Sequence, residues 1–231
     1  MLSLITSSAD TAQIVAWIFA FLVIMLVSMP LNMYVQGLAA ALLGDDTPER
    51  SGRLTLNPMA HFDITGAIAM LLCGIGWGKP MPINVSKCSK VRPKAAMLIT
   101  ALVGPVANIL IAYISVIIQQ SVFYCNIELI LSGKESMEYY IFMAFMYVAY
   151  LNVYLAVINL LPIPPFSGAR ILAALLPLNL YMKIAKYERI IGLVVMVMLL
   201  FGILSMPIAF LSGLVMDGLV NASGFVKMFF V

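Results

Sequence analysis

An apolar helix that carries two amides is predicted for the stretch PLNMYVQGLAAALLGD, which runs from Pro30 to Asp45. Apart from Asp45, this stretch contains no charged residue. Asn32 and Gln36 are four residues apart, so their side chains lie on the same face of the helix. A side-chain amide at hydrocarbon depth is costly unless it is hydrogen-bonded. We therefore expect both amides to have partners.

The composition is that of an integral membrane protein. Of 231 residues, 63% are hydrophobic and 10% are charged, and the mean hydropathy is +1.06, whereas soluble domains have about 25% charged residues. Charge is absent from residues 11–44, 95–127, 139–169 and 190–216, and each run exceeds the roughly 20 residues needed to cross a bilayer. The predicted fold class is an all-α polytopic membrane protein, a single membrane-embedded domain over 1–231 with four transmembrane helices.

Basic residues are concentrated in two segments between these runs. Eleven of the 13 Lys and Arg residues fall within 44–94 and 162–189, so the positive-inside rule makes both segments cytoplasmic. No Lys or Arg precedes the first run, which is longer than the apolar part of a signal peptide, and we expect it to stay in the membrane. Four crossings then leave both termini outside.

The first helix and the segment after it are predicted to be irregular. Pro30 falls inside the first apolar run and predicts a kink there. Residues 53–58 and 80–85 are interpreted as short cytoplasmic-side β segments, because they are extended in character or alternate polar and apolar residues. Between them, 64–77 is interpreted as a short helix or re-entrant piece.

The C-terminal part is predicted to hold a short helix over 168–178 and a fourth spanning helix over about 188–211. Pro207 is expected to break that spanning helix. Cysteine adds no constraint on the fold. Cys73, Cys88 and Cys125 are isolated and match no disulfide or metal-binding spacing.

Five motifs in order resemble the small bacterial branch of the site-2 protease family, which are intramembrane zinc metalloproteases. The resemblance covers residues 13–178 and leaves 179–231 as an additional C-terminal transmembrane helix and apolar tail. It implies an integral protein of a bacterial cytoplasmic membrane. The motifs are Asn32–Gln36 with Gly44-Asp45, Gly52–Asp63, Trp77–Asn84, Gly104–Asn108 and Asn159–Arg170.

The catalytic residues of that family are replaced in this chain. The family motif His-Glu-x-x-His supplies two zinc ligands and a general base, and a distant Asp is the third ligand. By the resemblance, these positions are occupied by Asn32, Met33, Gln36 and Ser167. Amides and a hydroxyl are poor zinc ligands, and a thioether does not accept a proton from water. The resemblance therefore implies zinc for the family but no cofactor and no catalytic residue here.

Three explanations of these replacements stay open: a natural pseudoprotease, an engineered inactive variant, and a chemistry that the motifs do not reveal. Four changed positions exceed the one or two of an ordinary inactivated variant, and Ala169 also departs from the family pattern, which favours natural drift. The only histidine, His61, falls in the Asn-Pro-x-x-His-x-Asp segment, where the family has no zinc ligand. We interpret it as a structural hydrogen-bonding residue.

The preferred function is a pseudoprotease that binds or regulates a transmembrane partner without cleaving it. A polar cluster of Asn32, Gln36, Asn108, Asn159 and Ser167 is predicted where the metal would lie, and it either contacts the partner or joins the helices. The alternative is an intramembrane metalloprotease-type hydrolase, active in regulated intramembrane proteolysis, with an unrecognised or restored site. Transport is disfavoured because no inverted repeat is visible. The expected partners are lipid and a single-pass transmembrane protein, and no nucleic acid is expected.

Overall fold

The computed structural model describes residues 11–64, 66, 78–164, 166–177, 180, 183 and 186–230, and within them the chain is helical with no β-strand. The α-helices are α1 (Thr11–Val23), α2 (Met29–Leu42), α3 (Thr47–Arg50), α4 (Pro58–His61), α5 (Pro93–Cys125), α6 (Ile127–Leu131), α7 (Met137–Leu160), α8 (Gly168–Leu175), α9 (Glu188–Leu200), α10 (Ser205–Ala222) and α11 (Lys227–Phe230). A π-helical turn covers Ile24–Ser28, and 3₁₀ turns cover Val85–Lys87 and Gly224–Val226.

Four helical spans in the described part of the chain are long and apolar enough to cross a membrane: Gln13–Leu42, Pro93–Cys125, Met137–Leu160 and Ser205–Phe230. The predicted helical fold is confirmed for the described part of the chain, which has four candidate membrane-spanning helices.

The two central helices are α5 and α7, which pack along each other. Helix α1 packs on α7, whereas α2 and α8 pack on α5. The buried face of α5 includes small residues, among them Ala101, Gly104 and Ala107, which let neighbouring helices approach closely. That close approach brings α2 and α8 to the same side of α5.

The first spanning helix is irregular at the point where Pro30 enters it. In the π turn before Pro30, the Met29 backbone N–H donates to the carbonyl of Ile24, five residues earlier. π turns interrupt otherwise regular α-helices and often lie at functional sites. The proline then occupies the first turn of α2, and the kink at Pro30 stays a prediction.

The two predicted β segments are wrong. Residues 53–57 and 80–84 contain no helix or strand. Main-chain N–H groups in both segments form isolated hydrogen bonds and not the repeated pairs of a β-ladder. The Arg53 N–H donates to the Pro48 carbonyl, and the Asn84 N–H donates to the Asp45 carboxylate. Two prolines in 80–84 also remove donors that a ladder would need. The predicted re-entrant piece, 64–77, lies almost entirely outside the described residues.

The predicted fourth helix is also wrong in its bounds. The chain turns at Phe201–Leu204, between α9 and α10, and Gly202 has a φ of +70° there. Glycine adopts this left-handed conformation without the steric cost that a Cβ would add. Pro207 lies in the first turn of α10, where its missing N–H has no intrahelical partner to lose. The fourth candidate span accordingly starts at Ser205 and runs to Phe230.

Candidate functional site

The two amides of α2 are buried and hydrogen-bonded to each other. Asn32 is 6% exposed and Gln36 is 5% exposed, and Gln36 Nε2 donates to Asn32 Oδ1 at 2.7 Å. Helix α5 presses directly on this pair at Gly104. A Cβ added to Gly104 would lie 2.7 Å from Gln36 Nε2 and 2.8 Å from Asn32 Oδ1. The approach of α5 to the amides therefore depends on glycine at this position.

A cation completes the hydrogen-bonded chain. Arg170 Nη2 in α8 donates to Gln36 Oε1 at 2.5 Å and to Ser167 Oγ at 3.0 Å. Burial lowers the pKa of Arg170 to about 10, so the guanidinium is still charged at pH 7. The four side chains form a relay, which we define as Ser167, Arg170, Gln36 and Asn32. It ties α8 to α2 across a sequence separation of 134 residues.

The position of Arg170 is set by a tight turn after α7. A Cβ added to Gly168 would overlap the carbonyl oxygens of Leu160 and Leu161, so only glycine fits. This close return places the start of α8 beside the end of α7. At the other end of α8, Lys94 Nζ donates to the Leu176 carbonyl at 3.0 Å. Both ends of α8 are therefore fixed.

Three polar atoms near the relay are buried without a hydrogen-bond partner: Asn32 Nδ2, Ser28 Oγ and Asn108 Oδ1. Ser28 is four residues before Asn32, so the two share a face. Asn108 is four residues after Gly104, which is about 6 Å along the helix axis. An unsatisfied buried polar atom is uncommon in native structures and calls for a physical explanation.

Of the five residues predicted for the polar cluster, three are joined in the relay. Asn108 is 1% exposed and lies one turn beyond the glycine contact, whereas Asn159 is half-buried near the end of α7 and makes no side-chain hydrogen bond to the other four. Arg170 was not among the residues predicted for the cluster, although it ends the Asn159–Arg170 motif. Its spacing of three from Ser167, within one helical turn, was a usable signal.

His61 has a structural role. It is 0% exposed; its Nε2 lies 2.7 Å from the Thr55 carbonyl oxygen, and Arg53 Nη2 lies 3.4 Å from its Nδ1. Because the carbonyl only accepts and the guanidinium only donates, the neutral tautomer protonated at Nε2 satisfies both contacts. Burial, with the Arg53 charge, lowers the pKa of His61. Both ring nitrogens are therefore engaged away from the relay.

The Gly44-Asp45 motif fastens the segment before α5 to the end of α2. The Asp45 carboxylate is 0% exposed and accepts from the Thr47 N–H at 3.0 Å and from the Asn84 N–H at 2.6 Å. Gly44 has a φ of +108°, and an added Cβ there would lie 2.8 Å from Ser89 Oγ. The Gly44-Asp45 motif therefore holds the segment before α5 against the end of α2.

The relay does not fit a zinc ion. The amide oxygens of Asn32 and Gln36 already accept hydrogen bonds, from Gln36 and Arg170 respectively. A dication bound beside them would also be repelled by the charged guanidinium of Arg170. Among the described residues, no group of three or more His, Cys, Asp or Glu side chains is placed to hold a metal ion. Met33, which the resemblance places at the position of the family's general base, offers only a thioether.

Comparison with known proteins identifies the chain's relatives. Residues 11–203 match Peptidase family M50. The chain is 32% identical over 164 residues to a Bacillus subtilis (strain 168) protein named "Putative zinc metalloprotease YwhC", an alignment that covers 71% of this chain and 72% of that protein. No solved structure matches the chain significantly.

Proposed function

Because the chain belongs to Peptidase family M50, the site-2 protease family, we propose that it is a pseudoprotease, which binds or regulates a transmembrane partner without cleaving it. The observation that carries this proposal is the relay. The side chains at the family's ligand positions bond to one another and to Arg170. Each of their oxygens accepts a hydrogen bond from the next member of the relay, so the oxygens do not converge on a common point, as ligands of a metal ion do.

Without a metal, the chemistry of peptide hydrolysis has no support in these residues. Water has a pKa near 15.7, and a zinc ion lowers that value to about 7. Nothing at position 33 removes a proton from water, and His61 is occupied by Thr55 and Arg53. A hydrolase would need both an electrophile and a base. The donor set of the relay supplies neither.

The alternative function is an intramembrane metalloprotease-type hydrolase, and the name of the Bacillus subtilis relative favours it. For this chain the alternative needs ligands that the relay lacks. Metal analysis of the purified full-length protein separates the two functions. We expect no bound zinc in the wild-type protein, and we expect no effect of a chelator on its thermal unfolding.

A matched variant makes the metal test decisive. Replacing all four positions, as Asn32→His, Met33→Glu, Gln36→His and Ser167→Asp, restores the family's donor set, and this variant should bind about one zinc per chain. Zinc at that level in the wild-type protein, lost together with cleavage of a transmembrane substrate when a chelator is added, would contradict the pseudoprotease proposal.

Partner binding is tested separately by photo-crosslinking. A photoreactive side chain at Met33, which lies on α2 between the two amides, is expected to capture a discrete single-pass membrane protein in native membranes. The same group at Met206, which is 83% exposed on α10, serves as the control for contact with lipid and random neighbours. If the probes at Met33 and Met206 gave the same crosslinked products, partner binding at the relay would be contradicted, and the relay would serve only to join the helices.

We also propose that the segments 44–94 and 162–189 are cytoplasmic, on the basis of their basic residues. Cys125 ends α5 and is exposed, so it should lie on the outer side. A membrane-impermeant maleimide added to intact cells should label the wild-type protein and fail to label Cys125→Ser. Labelling of Cys125 only after the cells are opened would show that the orientation is the reverse of the one proposed.

A further inference from the structure

Asp217 is a charged residue near the middle of the fourth candidate span. It is twelve residues from Ser205 and thirteen from Phe230, the two ends of that span. No other charged residue lies between Arg189 and Lys227. Ionisable residues in spanning segments are costly and normally face the interior of a bundle or a polar cavity, where they pair with another group. The surroundings of Asp217 therefore call for an explanation.

Hydrogen bonds from α5 place the end of α10 beside the spanning part of α5. Gln120 Nε2 donates to the Val220 carbonyl and Tyr113 Oη donates to the Ala222 carbonyl, both at 3.3 Å. Tyr113 is twelve residues, about 18 Å, before the end of the α5 span. Asp217 comes one turn before Val220 in α10. The carboxylate is therefore attached within the spanning region and not beyond its edge.

Asp217 faces away from the rest of the protein. Helix α10 packs on α7, and the residues of α10 that belong to or pack against the buried core include Ile208, Val215 and Leu219. Asp217 lies on the opposite side of the helix and is exposed. In the part of the chain that the structure describes, its carboxylate forms no hydrogen bond and no ion pair, since both salt bridges there are made by Asp46. The helices of this chain therefore do not provide the partner that a charge at this depth normally has.

The residues around Asp217 form an exposed helix surface with an open glycine. We define the Asp217 face as Phe210, Gly213, Leu214, Asp217 and Asn221, whose spacing of three and four residues places them on one side of α10. Phe210 is 67% exposed and Leu214 is 56% exposed, whereas a Cβ added to Gly213 would meet nothing within 4 Å. Small residues let two spanning helices approach closely. The backbone of α10 is therefore accessible to another helix one turn from the carboxylate.

We propose that the Asp217 face binds a transmembrane helix of another protein, and that the Asp217 carboxylate pairs with a Lys or Arg side chain in that helix. Charge complementarity identifies the partner's chemistry, because a cation offsets the cost of an acid at this depth. A second copy of this chain does not supply the cation. The only Lys or Arg residues in its four candidate spans are Lys94 and Lys227, and each lies within three residues of a span end.

This contact goes beyond the proposed function and does not depend on the relay. The relay lies on α2 and α8, which pack on α5, whereas the Asp217 face is on α10, which packs on α7. The helix bound at Asp217 is therefore a second partner. Metal analysis and crosslinking from Met33 test the relay alone, and the binding experiment described next tests Asp217 alone.

The test measures binding of three synthetic transmembrane peptides to the full-length protein by energy transfer, in nanodiscs of zwitterionic phosphatidylcholine. The peptides are leucine- and alanine-rich helices that differ only in their central residue, which is Lys, Leu or Glu. Wild-type protein should bind the Lys peptide at least about tenfold more tightly than the Leu peptide, because the ion pair forms only with Lys. The Glu peptide should bind most weakly, since it sets two like charges together.

Variants separate the charge from the shape of the Asp217 face. Asp217→Leu should bind the Lys and Leu peptides equally well, and Asp217→Lys should prefer the Glu peptide. Gly213→Leu keeps the carboxylate but fills the open surface, so it should weaken binding of the Lys peptide about tenfold. Glu128→Gln is the control, because Glu128 is an exposed acid in α6, outside the candidate spans. It should keep the wild-type preference.

Three results would overturn the proposal. The first is wild-type protein that does not distinguish the Lys peptide from the Leu peptide, and the second is a folded Asp217→Leu variant that still prefers the Lys peptide. The third is energy transfer between two labelled copies of the protein that is lost in Asp217→Leu and unchanged by the Lys peptide, which would assign the Asp217 face to a homodimer. Thermal unfolding of each variant establishes that it is folded.

Discussion

Gly104→Ala is the substitution that most directly tests the contact between α5 and the relay. The added methyl would lie 2.7 Å from Gln36 Nε2 and 2.8 Å from Asn32 Oδ1, distances at which one partner must move. Gly213→Ala in α10 is the matched control, because nothing lies within 4 Å of a Cβ added there.

The expected magnitude follows from three contributions. Overpacking costs about 1–3 kcal/mol, and separating the amides leaves buried polar groups unpaired at a cost of about 1–3 kcal/mol. Alanine offsets roughly 1 kcal/mol of this through its higher helix propensity. Gly104→Ala should therefore lower the free energy of unfolding by about 3 kcal/mol, whereas Gly213→Ala should leave it unchanged or raise it by up to about 1 kcal/mol.

Thermal unfolding in detergent measures both variants. For a chain of this size, 1 kcal/mol corresponds to about 2–4 °C in Tm, so Gly104→Ala should unfold about 6–12 °C below the wild type. In a double-mutant cycle with Gln36→Ala, the loss should shrink, because the methyl then has one fewer atom to displace. Equal Tm values for Gly104→Ala and Gly213→Ala would refute the close packing of α5 on the amides.

Three further predictions concern the surroundings of the relay. Asp45→Asn keeps the shape of the side chain but sets an amide against the Thr47 and Asn84 N–H groups, so proteolysis of the segment before α5 should accelerate. Asp46→Asn is the control and should change the rate of proteolysis little, because Asp46 is more exposed and its ion pairs lie at the surface. Arg170→Met leaves Gln36 Oε1 without its donor and should lower the free energy of unfolding by about 1–3 kcal/mol, measured as Tm; an unchanged Tm would show that the guanidinium contact contributes nothing. The folded-state pKa of His61 is lowered below the usual value near 6.5, so at lower pH the unfolded chain binds a proton that the folded chain does not. The free energy of unfolding should therefore be constant above about pH 7 and fall as the pH drops through 6.5. His61→Gln should remove this pH dependence, and a wild-type profile that stays flat there would contradict the prediction.

The spanning helices were predictable because long apolar runs without charge have few stable alternatives in a bilayer. The pairing of Asn32 with Gln36 was predictable for a similar reason, since a spacing of four fixes a common helix face. These features are local, so neighbouring residues determine them. The break in the C-terminal helix shows the limit of such reasoning. It was predicted at Pro207, but the chain turns at Phe201–Leu204, and Pro207 lies in the first turn of the next helix.

The part of the site that sequence did not reveal depends on contacts between distant segments. Arg170 reaches Gln36 only because the chain turns back at Gly168 against the carbonyl groups that end α7. Charge counting treats an arginine in a cytoplasmic segment as a topology signal and gives no information on where its side chain points. The prolines at 162, 164 and 165 disfavour a continuous helix before Ser167, but they do not indicate that the next helix carries a cation to the relay.

The replacements at the family's ligand positions are chemically consistent with one another. A zinc site holds its ligands by drawing several lone pairs toward one ion. A guanidinium is directional and donates along its N–H bonds; here Nη2 donates to Gln36 and to Ser167, and Asn32 is reached through Gln36. An amide both donates and accepts, which is why Gln36 passes the hydrogen bond on to Asn32. Two apolar residues at 32 and 36 would leave Arg170 without its acceptor on α2, whereas two amides keep α8 linked to α2 and leave a donor free at the end. The link between the helices therefore needs no metal.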